Sequence, residues 1–149
     1  MHALERIRAW LRPGGLLLDL HPEPVRPTVV LGYDGLRAVH LGEVDNSRLV
    51  GNVHAARAAL ALVVERGWFA RERSQLYDFI SHFGSVDSWL RYREERRSTS
   101  VVEPALIARA REMMLARPSA ELRVREQVLA TRLRRIVASP ASFDSERAE

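Results

Sequence analysis

Apolar residues Leu4, Ile7, Ala9, Trp10 and Leu11 recur at helical spacing with Arg and Glu between them. Pro13 and Gly14-Gly15 end this helix, since proline cannot continue it and glycine takes the left-handed backbone past its end. Leu16-Leu17-Leu18-Asp19-Leu20 follows as an almost unbroken apolar run. Such a run predicts a strand buried on both faces, as in a parallel strand held between helices. Pro22, Pro24 and Pro27 mark a loop. Thr28 to Leu31 and Leu36 to Leu41 then flank Gly32-Tyr33-Asp34-Gly35, and Asp-Gly between β-prone segments predicts a hairpin.

Asp45, Asn46 and Ser47 are candidate caps for a helix whose positions Leu49, Val53, Ala56, Leu60 and Val63 step by three or four up to about Arg66. Gly67 stops it. From about Arg71 to Phe83 the pattern changes to alternation, with Leu76, Asp78, Ile80 and His82 on one face and Tyr77, Phe79, Ser81 and Phe83 on the other. Helices are predicted over Ser85 to Arg97, capped by Ser85, and over Glu103 to Arg117, with Pro104 in the first turn. Leu122, Val124, Glu126 and Val128 alternate with Arg123, Arg125 and Gln127. That predicts a strand from Glu121 to about Ile136, antiparallel to the one ending at Phe83, with a helix over Leu129 to Val137 as the alternative. Residues 1–138 read as one domain and Ser139 to Glu149 as a frayed tail.

Composition narrows the class. A chain of 149 residues, 46% hydrophobic and 28% charged, is sized for one core rather than for disorder. The apolar run Ala55 to Val64 is interrupted by Arg57 and is too short for a membrane span. No secretory leader is visible. With no cysteine, disulfides, thiol catalysis and Cys-ligated metals are excluded, and a cytoplasmic location is the expectation. All 23 basic residues are arginine, and the net charge is +4. A basic chain invites a nucleic-acid reading, but 19 acidic residues interspersed with the arginines point instead to a solvated surface. Arg91, Arg93, Arg96 and Arg97 line a helix end, where cations complement the macrodipole, so the cluster Arg123, Arg125, Arg132, Arg134 and Arg135 is the better phosphate-binding candidate. No membrane and no nucleic-acid partner are expected.

The segment Leu11-Arg12-Pro13-Gly14-Gly15 running into Leu16-Leu17-Leu18-Asp19 resembles the entry to the fifth strand of class I S-adenosylmethionine-dependent methyltransferases. The later order of elements is also similar: a long helix, a strand with Tyr77, Phe79 and Phe83, an insertion, and a final antiparallel strand. The resemblance implies an α/β fold, an incomplete Rossmann-like methyltransferase sheet with a C-terminal antiparallel hairpin. In that family the cofactor is held by a Gly-rich loop after strand one and an acidic residue closing strand two. Both belong upstream of Pro13, which twelve residues precede, and no Gly-rich strand–turn–helix occurs in the sequence. The resemblance therefore implies the acceptor-side, C-terminal half of such an enzyme, truncated and inactive alone. S-adenosylmethionine would bind only if a partner supplied the cofactor loop.

In the complete fold strand five pairs with strand four on one side and strand seven on the other. Leu16 to Leu20 would then keep an open apolar edge, which is a template for another chain. A homodimer or a separate N-terminal half would complete the sheet; alternatively, the flanking helix or the Val29 to Leu41 hairpin covers it. A non-catalytic interaction module working through that edge is the competing function.

Ligands of open α/β sheets sit beyond the carboxyl ends of the strands. The resemblance therefore makes His21 and Asp19 the candidate catalytic bases, with Glu23 and His82 lining an acceptor pocket. Read without it, Asp19, His21 and Glu23 are ordinary polar residues around a Pro-rich loop, and His82 is a hydrogen-bonded structural histidine. The histidines form no metal-ligand spacing, and Gly84-Ser85-Val86 is not a nucleophile elbow.

Overall fold

A computed structural model describes residues 2–33 and 36–136. Asp34-Gly35, the expected hairpin tip, and the tail from Ser139 lie outside the described residues. In chain order the elements are α1 (His2–Trp10), β1 (Leu16–Pro22), β2 (Thr28–Tyr33), β3 (Leu36–Glu43), α2 (Ser47–Glu65), β4 (Phe69–Phe83), α3 (Val86–Glu95), α4 (Pro104–Leu115) and β5 (Glu121–Arg135). The class is mixed α/β. No described helix is long and apolar enough to cross a membrane.

Local chemistry explains the boundaries. Gly14 lies at φ +74, which L residues rarely adopt. The Pro-Gly-Gly turn is clamped to the end of β5, because Gly14 N–H donates to Arg135 O at 3.1 Å and Arg135 N–H donates to Gly15 O at 2.8 Å. Ser85 caps α3 in a capping box with Ser88, and Pro104 occupies the first turn of α4. At α2 the work is divided. Asp45 Oδ1 accepts from Ser47 N–H at 2.9 Å, while Asn46, at the cap position, donates instead to Val25 O at 2.9 Å.

β5 organises the sheet. One of its edges pairs with β4 from Phe69↔Arg135 to Phe83↔Leu122. The other is shared by β1, from Leu16↔Arg134 to Pro22↔Val128, and β2, from Thr28↔Arg125 to Gly32↔Glu121. β3 extends the sheet beyond β2. Every one of these pairings is antiparallel.

Paired residues of an antiparallel ladder share a face, so β5 sorts the core into two clusters. Leu122 and Val124 join Val29, Leu31, Trp89, Leu106 and Ala110 on the face covered by α3 and α4. Leu133, of the opposite parity, joins Leu60, Val63 and Phe69 on the other face, with Leu4, Leu11 and Leu17 packed around them. Each face is thus covered over only part of its length.

Three expectations change. β1 is antiparallel to its described neighbour, not a parallel strand. It is buried on one face only: Leu17, Asp19 and His21 face the α2 side, whereas Leu16, Leu18 and Leu20 are 48%, 61% and 61% exposed. The hairpin pairs through β2 with β5 rather than with β1, because β5 is long enough to hold β1 and β2 end to end along one edge. The C-terminal element is the strand expected, not the alternative helix: Leu129 to Arg135 is strand throughout.

Candidate functional site

Three of the four residues singled out in the sequence come together, and α2 adds a fourth residue. Asp19 and His21 are two apart on β1, so both side chains project to the α2 side. His21 is only 8% exposed. Its Nδ1 lies 2.6 Å from Asp19 Oδ2, and its Nε2 lies 3.1 Å from Arg57 Nε on α2. The same guanidinium donates through Nη2 to Glu23 Oε1. Asp19, His21, Arg57 and Glu23 therefore form one chain of hydrogen bonds, running from the middle of β1 to the loop beyond it.

The donors fix the protonation. A guanidinium N–H only donates, so His21 Nε2 must be the accepting, unprotonated nitrogen. The proton then sits on Nδ1 and is donated to the Asp19 carboxylate. His21 is neutral in this arrangement with both ring nitrogens engaged. It becomes a proton acceptor for any other group only when Arg57 moves off Nε2.

His82 is elsewhere. His21 pairs with Leu129 and His82 with Arg123, which puts them six β5 positions apart, about 20 Å along the strand, and on strands flanking opposite edges of β5. His82 Nδ1 contacts Glu121 Oε2 at 2.9 Å, and that oxygen also accepts from Arg123 Nε at 2.9 Å. The His82 and Arg123 hydrogen bonds hold the Glu121 carboxyl below its usual value. His82 thus belongs to a surface polar cluster and does not line a pocket with His21.

The arginines of β5 are also engaged. Arg123 pairs with Glu121, Arg125 with Asp78 at 2.6 Å, Arg132 and Arg134 with Glu72, and Arg135 donates to Leu11 O.

A second feature is the outer edge of β1. Gly15 O accepts from Arg135 N–H, and Glu23 N–H donates to Gln127 O at 2.7 Å. Along an antiparallel pair, alternate residues direct both backbone groups to the same neighbour. The odd-numbered residues from Gly15 to Glu23 thus bond β5, and the backbone groups of Leu16, Leu18 and Leu20 point away from it. Among the described residues no strand pairs with this edge. Pro22, lacking an N–H, ends the run of available donors.

Compared with protein-family models, with curated proteins and with solved structures, the chain gives no match.

Proposed function

We propose that this chain is the acceptor-side half of a class I S-adenosylmethionine-dependent methyltransferase sheet, completed when further strands pair along the outer edge of β1. The observation that carries the reading is that edge: an apolar strand bonded to β5 on one side, with the backbone groups of Leu16, Leu18 and Leu20 free on the other. In the family, strand five pairs with strand seven and leaves its other side to strand four. The order β1–β5–β4, with β5 antiparallel to both neighbours, supports equating these strands with five, seven and six.

The described residues do not make a cofactor site. The sequence has no Gly-rich strand–turn–helix, and the amides of the one double glycine are consumed in the turn, Gly14 N–H by Arg135 O and Gly15 N–H by Arg12 O. No step of methyl transfer is assigned to this half. Its contribution is one wall of the acceptor site, with Asp19 and His21 near the carboxyl end of β1 and Arg57 holding the imidazole in its Nδ1–H form. A cytoplasmic location accords with this reading.

Calorimetric titration with S-adenosylmethionine tests it. The isolated chain is expected not to bind, and its assembly with the polypeptide encoded immediately upstream is expected to bind. Binding by the isolated chain, or none by the assembly, contradicts the proposal.

The same edge favours a second reading, a non-catalytic module that associates by strand addition with an identical copy or another protein. Under it, light scattering shows association through β1 while no assembly binds the cofactor.

A further inference from the structure

On the face of β5 opposite Asp19 and His21, a cavity of about 450 Å3 opens between β4, β5, α3 and the segment that follows α3. Its volume is in the range of small-molecule sites. Phe83, Trp89 and Tyr92 supply aromatic wall, with the Phe83 and Tyr92 rings 5.4 Å apart. Arg93, Arg96 and Arg97 also line it. Among the described residues none of these three guanidiniums is in an ion pair with a carboxylate.

Two features of this cavity bear on what it could hold. Glu126 lines it half-buried, on the same face as the core residues Leu122 and Val124; among the described residues no hydrogen bond or ion pair reaches its carboxyl, which solvent still touches. Burial raises that carboxyl above its usual value, with Arg93 opposing the rise, and burial likewise lowers Arg93. The second feature is Arg97, a non-glycine residue at φ +48 just past the end of α3. Left-handed backbone is strained for an arginine, and here it closes the C-terminus of α3 in a Schellman motif. It is held there by Arg97 N–H to Glu94 O at 2.9 Å and Ser98 N–H to Arg93 O at 2.9 Å. The Arg93 guanidinium ties the segment down through Ser100 Oγ at 2.9 Å and Ser100 O at 2.5 Å.

We infer that this cavity binds a small aromatic monoanion carrying a hydroxyl or amino hydrogen-bond donor away from its charged end. The exposed guanidiniums of Arg96 and Arg97 take the anionic group, since guanidinium pairs bidentately with carboxylates and stacks on ring faces. The ring lies along Phe83 and Tyr92, where Arg96 already stacks over the Tyr92 ring at 5.1 Å. Its O–H or N–H donates to Glu126, the one carboxyl among the described residues that line the cavity. This binding is independent of the methyltransferase reading.

The test is titration of the full chain at neutral pH with 4-hydroxybenzoate, benzoate and phenol, followed by ligand-observed NMR. The first is expected to bind, and the other two, each lacking one of the recognised groups, about tenfold more weakly. Glu126→Leu should abolish the preference for 4-hydroxybenzoate over benzoate. Arg97→Gly should weaken both acids about tenfold, with circular dichroism showing both variants folded. The inference is overturned by absence of 4-hydroxybenzoate binding up to about 10 mM, by equal affinity for benzoate, or by binding that ignores either substitution.

Discussion

Arg57 Nε donates to His21 Nε2 at 3.1 Å, tying the middle of α2 to the end of β1 through a histidine that is almost fully buried. The contact holds the imidazole in one tautomer and joins Asp19 to Glu23 through two further hydrogen bonds. Arg57→Ala removes both bonds made by the guanidinium and leaves the buried Nε2 without a donor. The expected loss is about 1–3 kcal/mol of stability, read by urea unfolding. A loss no larger than that of an exposed α2 residue such as Glu65→Ala would show that the chain of hydrogen bonds is not formed.

Glu126 has a pH signature of its own. Burial raises its folded-state value above the usual 4.5. Stability from such a group is full below the unfolded-state value and is lost as pH rises through the folded one. Glu126→Gln is therefore expected to raise the melting temperature at pH 7, with the difference shrinking toward pH 4. Asp45, Glu72, Asp78 and Glu121 are lowered, so they contribute with the opposite sign and favour unfolding as the solution is acidified. A Glu126→Gln difference that grows at low pH would contradict the assignment.

Arg97→Gly separates stability from function. Glycine relieves a left-handed backbone that costs an L residue about 1–2 kcal/mol, so the variant is expected to be more stable by about 1 kcal/mol. If it is instead destabilised, the strain assigned to this position is absent.

The two faces of the β1–β5 ladder should respond differently. Leu133 is fully buried beside Leu17, and Leu133→Ala is expected to cost about 2–5 kcal/mol. Leu18, 61% exposed on the other face, can become lysine at a cost within about 0.5 kcal/mol. Leu18→Lys should nevertheless prevent association through the β1 edge, because a charge on an edge strand blocks further pairing. Denaturant melts and light scattering on the two variants read both effects.

The elements were legible in the sequence where a local device marks them. The Ser85 cap, Pro104 at a helix start, the Pro-Gly-Gly stop and the two long alternating strands all appear near their expected positions. Partners were less legible, because alternation tells which residues share a face and not which strand lies alongside. The run Leu16 to Leu20 suggested burial on both faces, whereas its even-numbered leucines face outward. Asp19, His21 and Glu23 are marked in the sequence by their place at a strand end. Arg57 left a fainter trace, a lone charge in the apolar stretch Ala55 to Val64. Glu126 left a similar one, a carboxyl in phase with Leu122, Val124 and Val128. In both cases a charge on the apolar phase of an element is a side chain with a partner or a cavity to face. His82 shared only residue type with His21, and register placed it far away.

Residue-resolved amide hydrogen exchange on the dilute chain tests the half-sheet account most directly. Leu17, Asp19 and His21, whose amides point to β5, should exchange slowly, whereas Leu16, Leu18 and Leu20 exchange rapidly and become protected only when another strand is added. Equal protection of all six amides at every protein concentration would show that β1 has no open edge and would contradict the account.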